Sequence, residues 1–228
     1  MKRIAALLLT FFLTTCFLTA QEPFFCVTPG TVQYYERCRL KTGKLTQTTL
    51  FEIKTVEKKK DGRRAKYFVT MKDHWGKDIF GGRTALAVDI DAISDTHMNF
   101  GEFIKCFAQN ILGDIKITSK GNAALLPSGM RPGDILPDAH CEVSWGILSL
   151  VIDVIDRKVL RCETITTPAG TFECVVAREH KIENGPFHYG DEWSDTWYAR
   201  GVGYVRHDTL NKKMEPIESE ILIRRELK

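Results

Sequence analysis

The chain has 228 residues, 43% of them hydrophobic, with 32 basic against 29 acidic side chains and a formal net charge of +3. That length holds one large domain or two small ones, and a chain of this size buries roughly 70% of the surface its unfolded form exposes, so folding requires no metal. Without Lys2 and Arg3 the balance is 30 basic to 29 acidic, a net charge of +1, so the overall charge gives no reason to expect nucleic acid or an anionic surface as partner.

Met1-Lys2-Arg3 is a short basic start, Ile4 to Leu18 is apolar, and Ala20 offers a small residue for cleavage before Gln21. This reads as a signal peptide over residues 1–20, followed by a single β-rich extracytoplasmic domain over 21–228. The apolar run is too short to argue for a retained transmembrane span. The protein is then exported, periplasmic or extracellular. Leu13-Thr14-Thr15-Cys16 vaguely resembles a lipoprotein box, but Thr15 stands where Gly, Ala or Ser is usual, so cleavage near Ala20 is favoured over an outer-membrane lipoprotein anchored through Cys16. Six cysteines remain: Cys26, Cys38, Cys106, Cys141, Cys162 and Cys174. An even count in an exported chain suggests disulfides, and the lack of any CxxC argues against a zinc site or a redox motif.

From Thr31 the pattern has period two. Val32, Tyr34, Cys38 and Leu40 share a face up to a turn at Thr42-Gly43. Thr49, Phe51, Ile53 and Thr55 follow, and Asp61-Gly62 turns the chain. The basic cluster Lys58 to Arg64 around that turn is a solvated hairpin tip. Ala65, Tyr67, Val69 and Met71 alternate up to a turn at residues 73–78, and a strand is expected within Ile79 to Ile90. The period then changes. Phe100, Phe103, Ile104, Phe107 and Ile111 form one helical stripe, with Asp95 or Thr96 as cap and Gly113 at the C-terminal end. Such a helix must lie on a sheet or plug a barrel. Its polar face, Glu102, Lys105, Gln109 and Asn110, lacks the Lys/Arg excess of an interfacial helix.

Residues 114–118 and 123–126 suggest a short hairpin around Lys120-Gly121-Asn122. The stretch Pro127 to Asp138, dense in Pro and Gly but punctuated by apolar residues, reads as an ordered loop. Cys141, Val143 and Trp145 alternate, and the parity switches at Leu148, which predicts a bulge near Gly146. Strands over 158–166 and 171–180 flank Thr167-Pro168-Ala169-Gly170. A three-residue loop would set Cys162 and Cys174 diagonally, and a register centred on Pro168 would oppose them and permit a disulfide. A two-residue loop would put them on opposite faces, which the apolar alternation argues against. A strand over 192–199 and a glycine corner at 200–206 follow, with Ile217, Ser219, Ile221 and Ile223 closing the domain. The fold class is all-β: an antiparallel meander forming a barrel or open half-barrel, with one short amphipathic helix.

Leu136-Pro137-Asp138, Thr166-Thr167-Pro168-Ala169-Gly170-Thr171-Phe172 and Thr196-Trp197-Tyr198-Ala199-Arg200-Gly201-Val202-Gly203 with Val205-Arg206 resemble the TapB-like family of secreted bacterial domains of uncharacterised function. The resemblance runs from about Pro29 to the end. It implies an antiparallel barrel or half-barrel and carries over no catalytic residues.

His140 and Cys141 are adjacent in a strand, so they face opposite ways and cannot act as base and nucleophile. His188, Asp191, Glu192 and Asp195 match no ligand spacing, and no metal or cofactor is expected. Trp193 and Trp197 share a strand face, with Tyr198 on the other. With an inward Phe172 they are the candidate lining of a hydrophobic cavity. Arg200 and Arg206 are expected to cap strand ends rather than anchor a buried carboxylate. No set of nucleophile, base and orienter appears, which ranks an enzyme last. The favoured function is a non-enzymatic domain binding a hydrophobic or amphipathic small molecule, such as a lipid, in a β-barrel cavity. The alternative is a structural or interaction module of the cell envelope with a filled core and a protein partner.

Overall fold

The structure, a computed structural model, describes residues 21–186 and 188–228. The expected signal peptide, residues 1–20, and Cys16 within it lie outside the described residues. Thirteen strands form one antiparallel sheet: β1 (Thr31–Arg39), β2 (Leu45–Lys59), β3 (Gly62–Asp73), β4 (Thr84–Asp91), β5 (Thr96–Met98), β6 (Ile117–Gly121), β7 (Ala124–Leu126), β8 (Ala139–Trp145), β9 (Leu148–Thr167), β10 (Gly170–Gly185), β11 (His188–Ala199), β12 (Gly203–Leu210) and β13 (Pro216–Leu227). The helix α1 spans Phe100–Leu112. The order β6-β8-β9-β10-β11-β12-β13-β1-β2-β3-β4-β5-β7 leaves the sheet open, an open half-barrel with one short helix.

The alternation read from the sequence sets which face is buried. Ala65, Tyr67 and Val69 on β3 and Leu86, Val88 and Ile90 on β4 point inward and pack with Ile53 and Phe107. Lys60 and Asp61 turn β2 into β3, and Gly62, at φ 143°, lies so close to the Ile90 carbonyl that a Cβ could not fit.

Three local expectations fail for physical reasons. Of the two residues expected to cap the helix, Thr96 instead begins β5, paired with β4 and β7, and Asp95 accepts from the Ser128 N–H, while Asn99 caps α1 by accepting from the Glu102 N–H at 3.0 Å. The expected hairpin over 114–126 does not form. β6 pairs with β8 and β7 with β5, so the two free edges of the sheet are consecutive strands. The parity switch near Gly146 is not a bulge but a two-residue turn joining β8 to β9, with Trp145 opposite Leu148.

The connections sort into two ends. β1–β2, β3–β4, β8–β9, β10–β11 and β12–β13 turn at one end, and β2–β3, β4–β5, β9–β10 and β11–β12 turn at the other. Asn110, near the end of α1, donates to Thr84 Oγ1 at the start of β4, so the helix C-terminus belongs to the first end. Residues 22–30 and Lys228 belong to the second, where Arg200 donates to the Glu22 carbonyl and Lys228 N–H to the Gly30 carbonyl.

Candidate functional site

Between the concave face of the sheet and α1 lie two adjoining, partly open chambers. The larger, about 250 Å³, has aromatic walls. Tyr35 stacks on Tyr204 at 4.5 Å, Phe51 meets Tyr35 at 5.5 Å, and Tyr67 lies 5.9 Å from Phe51. Phe103 of α1 closes against Tyr67 edge-on at 6.3 Å. Strand alternation places three of these rings: Tyr35 on β1, Phe51 on β2 and Tyr67 on β3 each take an inward position.

The same face carries polar groups that satisfy one another. Glu220 accepts from Arg37 at 3.1 Å and from Thr49 at 2.7 Å, and Gln33 donates to the Val202 carbonyl at 3.0 Å. His207 Nδ1 lies 2.8 Å from the Thr196 hydroxyl. Burial, with Arg37 and Lys181 adding to it, pushes the His207 imidazole down to about 3, so it is neutral. Burial also holds the Tyr35, Tyr67 and Tyr204 phenols well above their ordinary range.

The second chamber, about 240 Å³, lies between Phe103, Ile104 and Phe107 of α1 and the residues Lys181, Glu183 and Glu192 of β10 and β11. The chambers share Phe100, Phe103, Glu179 and His207. Each is below the usual size of a small-molecule site, roughly 300–1,000 Å³, and together they fall within it. The arrangement is an aromatic compartment adjoining one that has apolar helix residues on one side and charged strand residues on the other.

The sequence separated Trp193 and Trp197 from Tyr198 correctly, but the inward face is the other one. Tyr198 and Thr196 line the larger chamber, and Trp193 and Trp197 line neither. Trp197 is buried on the opposite face, its indole N–H donating to Glu163 and the Arg206 guanidinium 4.6 Å from its ring. Trp193 stacks on His180 at 4.4 Å. Phe172 lines a third, more open groove of about 680 Å³ with Cys162, Cys174 and Arg200. The structure therefore does not bring Phe172, Trp193 and Trp197 into one cavity. Arg206, expected to cap a strand end, instead grips the buried Asp208 carboxylate at 2.8 and 2.6 Å.

The disulfide expectation is also corrected. Gly170 pairs with Thr167, so the β9–β10 loop has two residues, and Cys174 sits opposite Glu163 while Cys162 sits opposite Val175. Cys162 is exposed and Cys174 buried, so they lie on opposite faces and cannot bridge. The alternation misled because Cys174, Val175, Val176 and Ala177 are all buried, which removes the contrast between faces. All six cysteines are free among the described residues. Burial raises the Cys141 thiol to about 11 and the Cys174 thiol to about 12, so neither is a ready nucleophile. His140 is exposed and pairs with Asp153 at 2.6 Å while Cys141 points inward. The acidic and histidine cluster after β10 is dispersed into separate pairs: His188 with Glu183, Asp191 with His180, Asp195 with Arg178. Among the described residues no three His, Cys, Asp or Glu side chains converge on a metal position, and no helix is long and apolar enough to cross a membrane.

Residues 30–222 match the model of one protein family, described as DUF3108-like. This is a different family from the TapB-like one that the motifs resemble. No curated protein matches. Two solved structures share the fold. One is a candidate exported protein with a YmcC-like fold from Bacteroides fragilis NCTC 9343, 21% identical, with a TM-score of 0.71 over 90% of this chain and 99% of that one. The other is a candidate lipoprotein from Parabacteroides distasonis ATCC 8503, 18% identical, with a TM-score of 0.72 over the same shares, 90% and 99%. At these identities the likeness is one of fold.

Proposed function

The chain belongs to the DUF3108-like family, and from that premise we propose that residues 21–228 form one exported domain that binds, without catalysis, a hydrophobic or amphipathic small molecule between α1 and the concave face of the sheet. The observation that carries this reading is the pair of chambers sharing Phe100, Phe103, Glu179 and His207. A domain with a filled core would place aliphatic side chains there. This one leaves space beside rings whose polar neighbours Gln33, Arg37, Thr49 and Glu220 are already paired, which suits an apolar body. Export is supported by the basic start and apolar run of residues 1–18 and by the descriptions of the two structural neighbours as exported protein and lipoprotein.

An environment-sensitive apolar dye tests the reading by titration. The expected result is saturable binding with rising fluorescence, reduced about tenfold or more by Phe103→Trp, which fills the wall common to both chambers. Binding that is absent, or unchanged in Phe103→Trp, would instead favour an envelope module that acts through a protein partner.

A further inference from the structure

The exposed apolar side chains are not scattered. Among the described residues, every exposed large apolar side chain except Ile93, Ile135 and Leu227 belongs to the end where β1–β2, β3–β4, β8–β9, β10–β11 and β12–β13 turn. Four of those connections contribute at least one, Leu40, Trp75 with Ile79, Ile147 and Met214, and Tyr189 stands on β11 beside the β10–β11 turn. The last turn of α1 adds Ile111 and Leu112. Trp75 is 81% exposed and Ile147 fully so, at 101%, which is a poor position for either ring or branched chain in water.

Neighbouring hairpins are two strand spacings apart, roughly 10 Å, so these residues form a ring of separate points rather than one continuous patch. Lysines stand between them: Lys41, Lys44, Lys77, Lys116, Lys212 and Lys213, all exposed and none in an ion pair among the described residues. The same loops hold four carboxylates, Asp73, Asp78, Asp114 and Glu215, and Asp73 is occupied by the Trp75 and Lys77 N–H groups. With Arg83, which ends the β3–β4 connection, seven positive stand against these four negative charges, and counting Glu52, the ion-pair partner of Arg83, leaves this end at +2, a local excess that the near-neutral whole chain conceals.

We propose that this end is a docking rim that seats on a lipid bilayer bearing anionic headgroups. Isolated aliphatic and aromatic tips reach the acyl boundary, Trp75 and Tyr189 suit the headgroup level, and the lysines meet phosphates. A protein partner would be better served by a contiguous apolar centre inside a polar border. The second chamber lies towards this end, since Glu183 and Ile152 pair two residues from the β10–β11 turn. The rim thus faces the source of an apolar ligand, although its existence does not depend on one being bound.

Residues 21–228 hold every strand of the sheet and lack Cys16, so no lipid on that thiol can contribute. In flotation, this chain is expected to rise with vesicles of phosphatidylethanolamine and phosphatidylglycerol and less with phosphatidylcholine alone. Trp75 fluorescence is expected to be quenched by brominated acyl chains. The triple variant Trp75→Ser, Ile147→Ser, Tyr189→Ser should lose about tenfold or more of the partitioning without a lower Tm, because all three side chains are exposed. Lys212→Glu with Lys213→Glu should weaken binding to the anionic vesicles only. Phe103→Trp, which fills the chamber wall, should still float, so a failed cavity reading and a failed rim reading remain distinguishable. Absence from both vesicle fractions would overturn the proposal. So would flotation that survives the triple variant, or a dimer that the triple variant dissolves without any vesicle binding.

Discussion

Among the described residues Arg157 has the largest fully buried side chain. It follows Asp156, at φ 52°, and its guanidinium donates to the Pro137 carbonyl at 2.6 Å and the Leu125 carbonyl at 3.2 Å, with Glu179 at 3.5 Å. One side chain thus ties β9 to the Pro/Gly-rich loop and to the free edge at β7. Arg157→Ala should cost about 3–5 kcal/mol in urea denaturation, because it strands two carbonyls and leaves the Glu179 charge unpaired beside an apolar wall. A double variant, Arg157→Met with Glu179→Gln, should recover part of that loss. His207 makes a separate, pH-dependent contribution. Its folded pKa of about 3 lies below the unfolded value of about 6.5, so the unfolded chain takes up the proton first. The stability it confers is complete above about pH 6.5 and is lost as pH falls towards 3, the loss reaching about 2 kcal/mol by pH 5. Carboxylates held low by their partners, such as Glu163 and Glu183, lose stability only further down, below their ordinary range. Between pH 7.5 and 5, urea midpoints of the wild type should therefore fall more than those of His207→Gln, and equal falls would remove this role for His207.

At the scale of elements, α1 carries the clearest test. Asn99→Ala should cost about 1 kcal/mol of stability through loss of the cap on Glu102 N–H. Glycine in a helix interior ordinarily weakens it, yet a Cβ at Gly101 would meet Cys141 Cβ at 3.2 Å and Ser119 Cβ at 3.3 Å. The glycine lets the helix lie close on β6 and β8, so Gly101→Val should destabilise by about 1–3 kcal/mol through overpacking. Thermal melts would show both effects. The helix itself was legible because its stripe and Gly113 are local signals, and the β2–β3 hairpin was legible for the same reason at Asp61-Gly62. The failures share a cause as well. Whether β6 and β7 pair with each other depends on β8 and β5, which lie elsewhere in the chain. The β9–β10 register was misread where both faces are covered and period two carries no information. Trp193, Trp197 and Tyr198 were divided correctly between faces, but nothing in three residues says which face is concave.

At the scale of the molecule, the sheet is open and its two edges, β6 and β7, are joined by two residues, 122 and 123. Closure is left to α1, whose Phe100 and Phe103 face both chambers. A ligand there would bury its surface against side chains already held by the sheet, so it should stabilise the folded state by mass action. Protein stripped by organic extraction and refolded is then expected to melt at a lower temperature than protein as isolated, and to regain the difference when the extract is returned.

Native mass spectrometry of residues 21–228, produced by export to an oxidising compartment, is the most direct measurement. Spectra would be recorded before and after organic extraction. The expected result is an adduct of constant mass, released by extraction and identifiable as a lipid or another apolar molecule, on a chain whose six thiols keep all their hydrogens. A bare mass before extraction, at an integer multiple of the chain, would contradict a ligand-filled interior and point to a module that works through protein contacts.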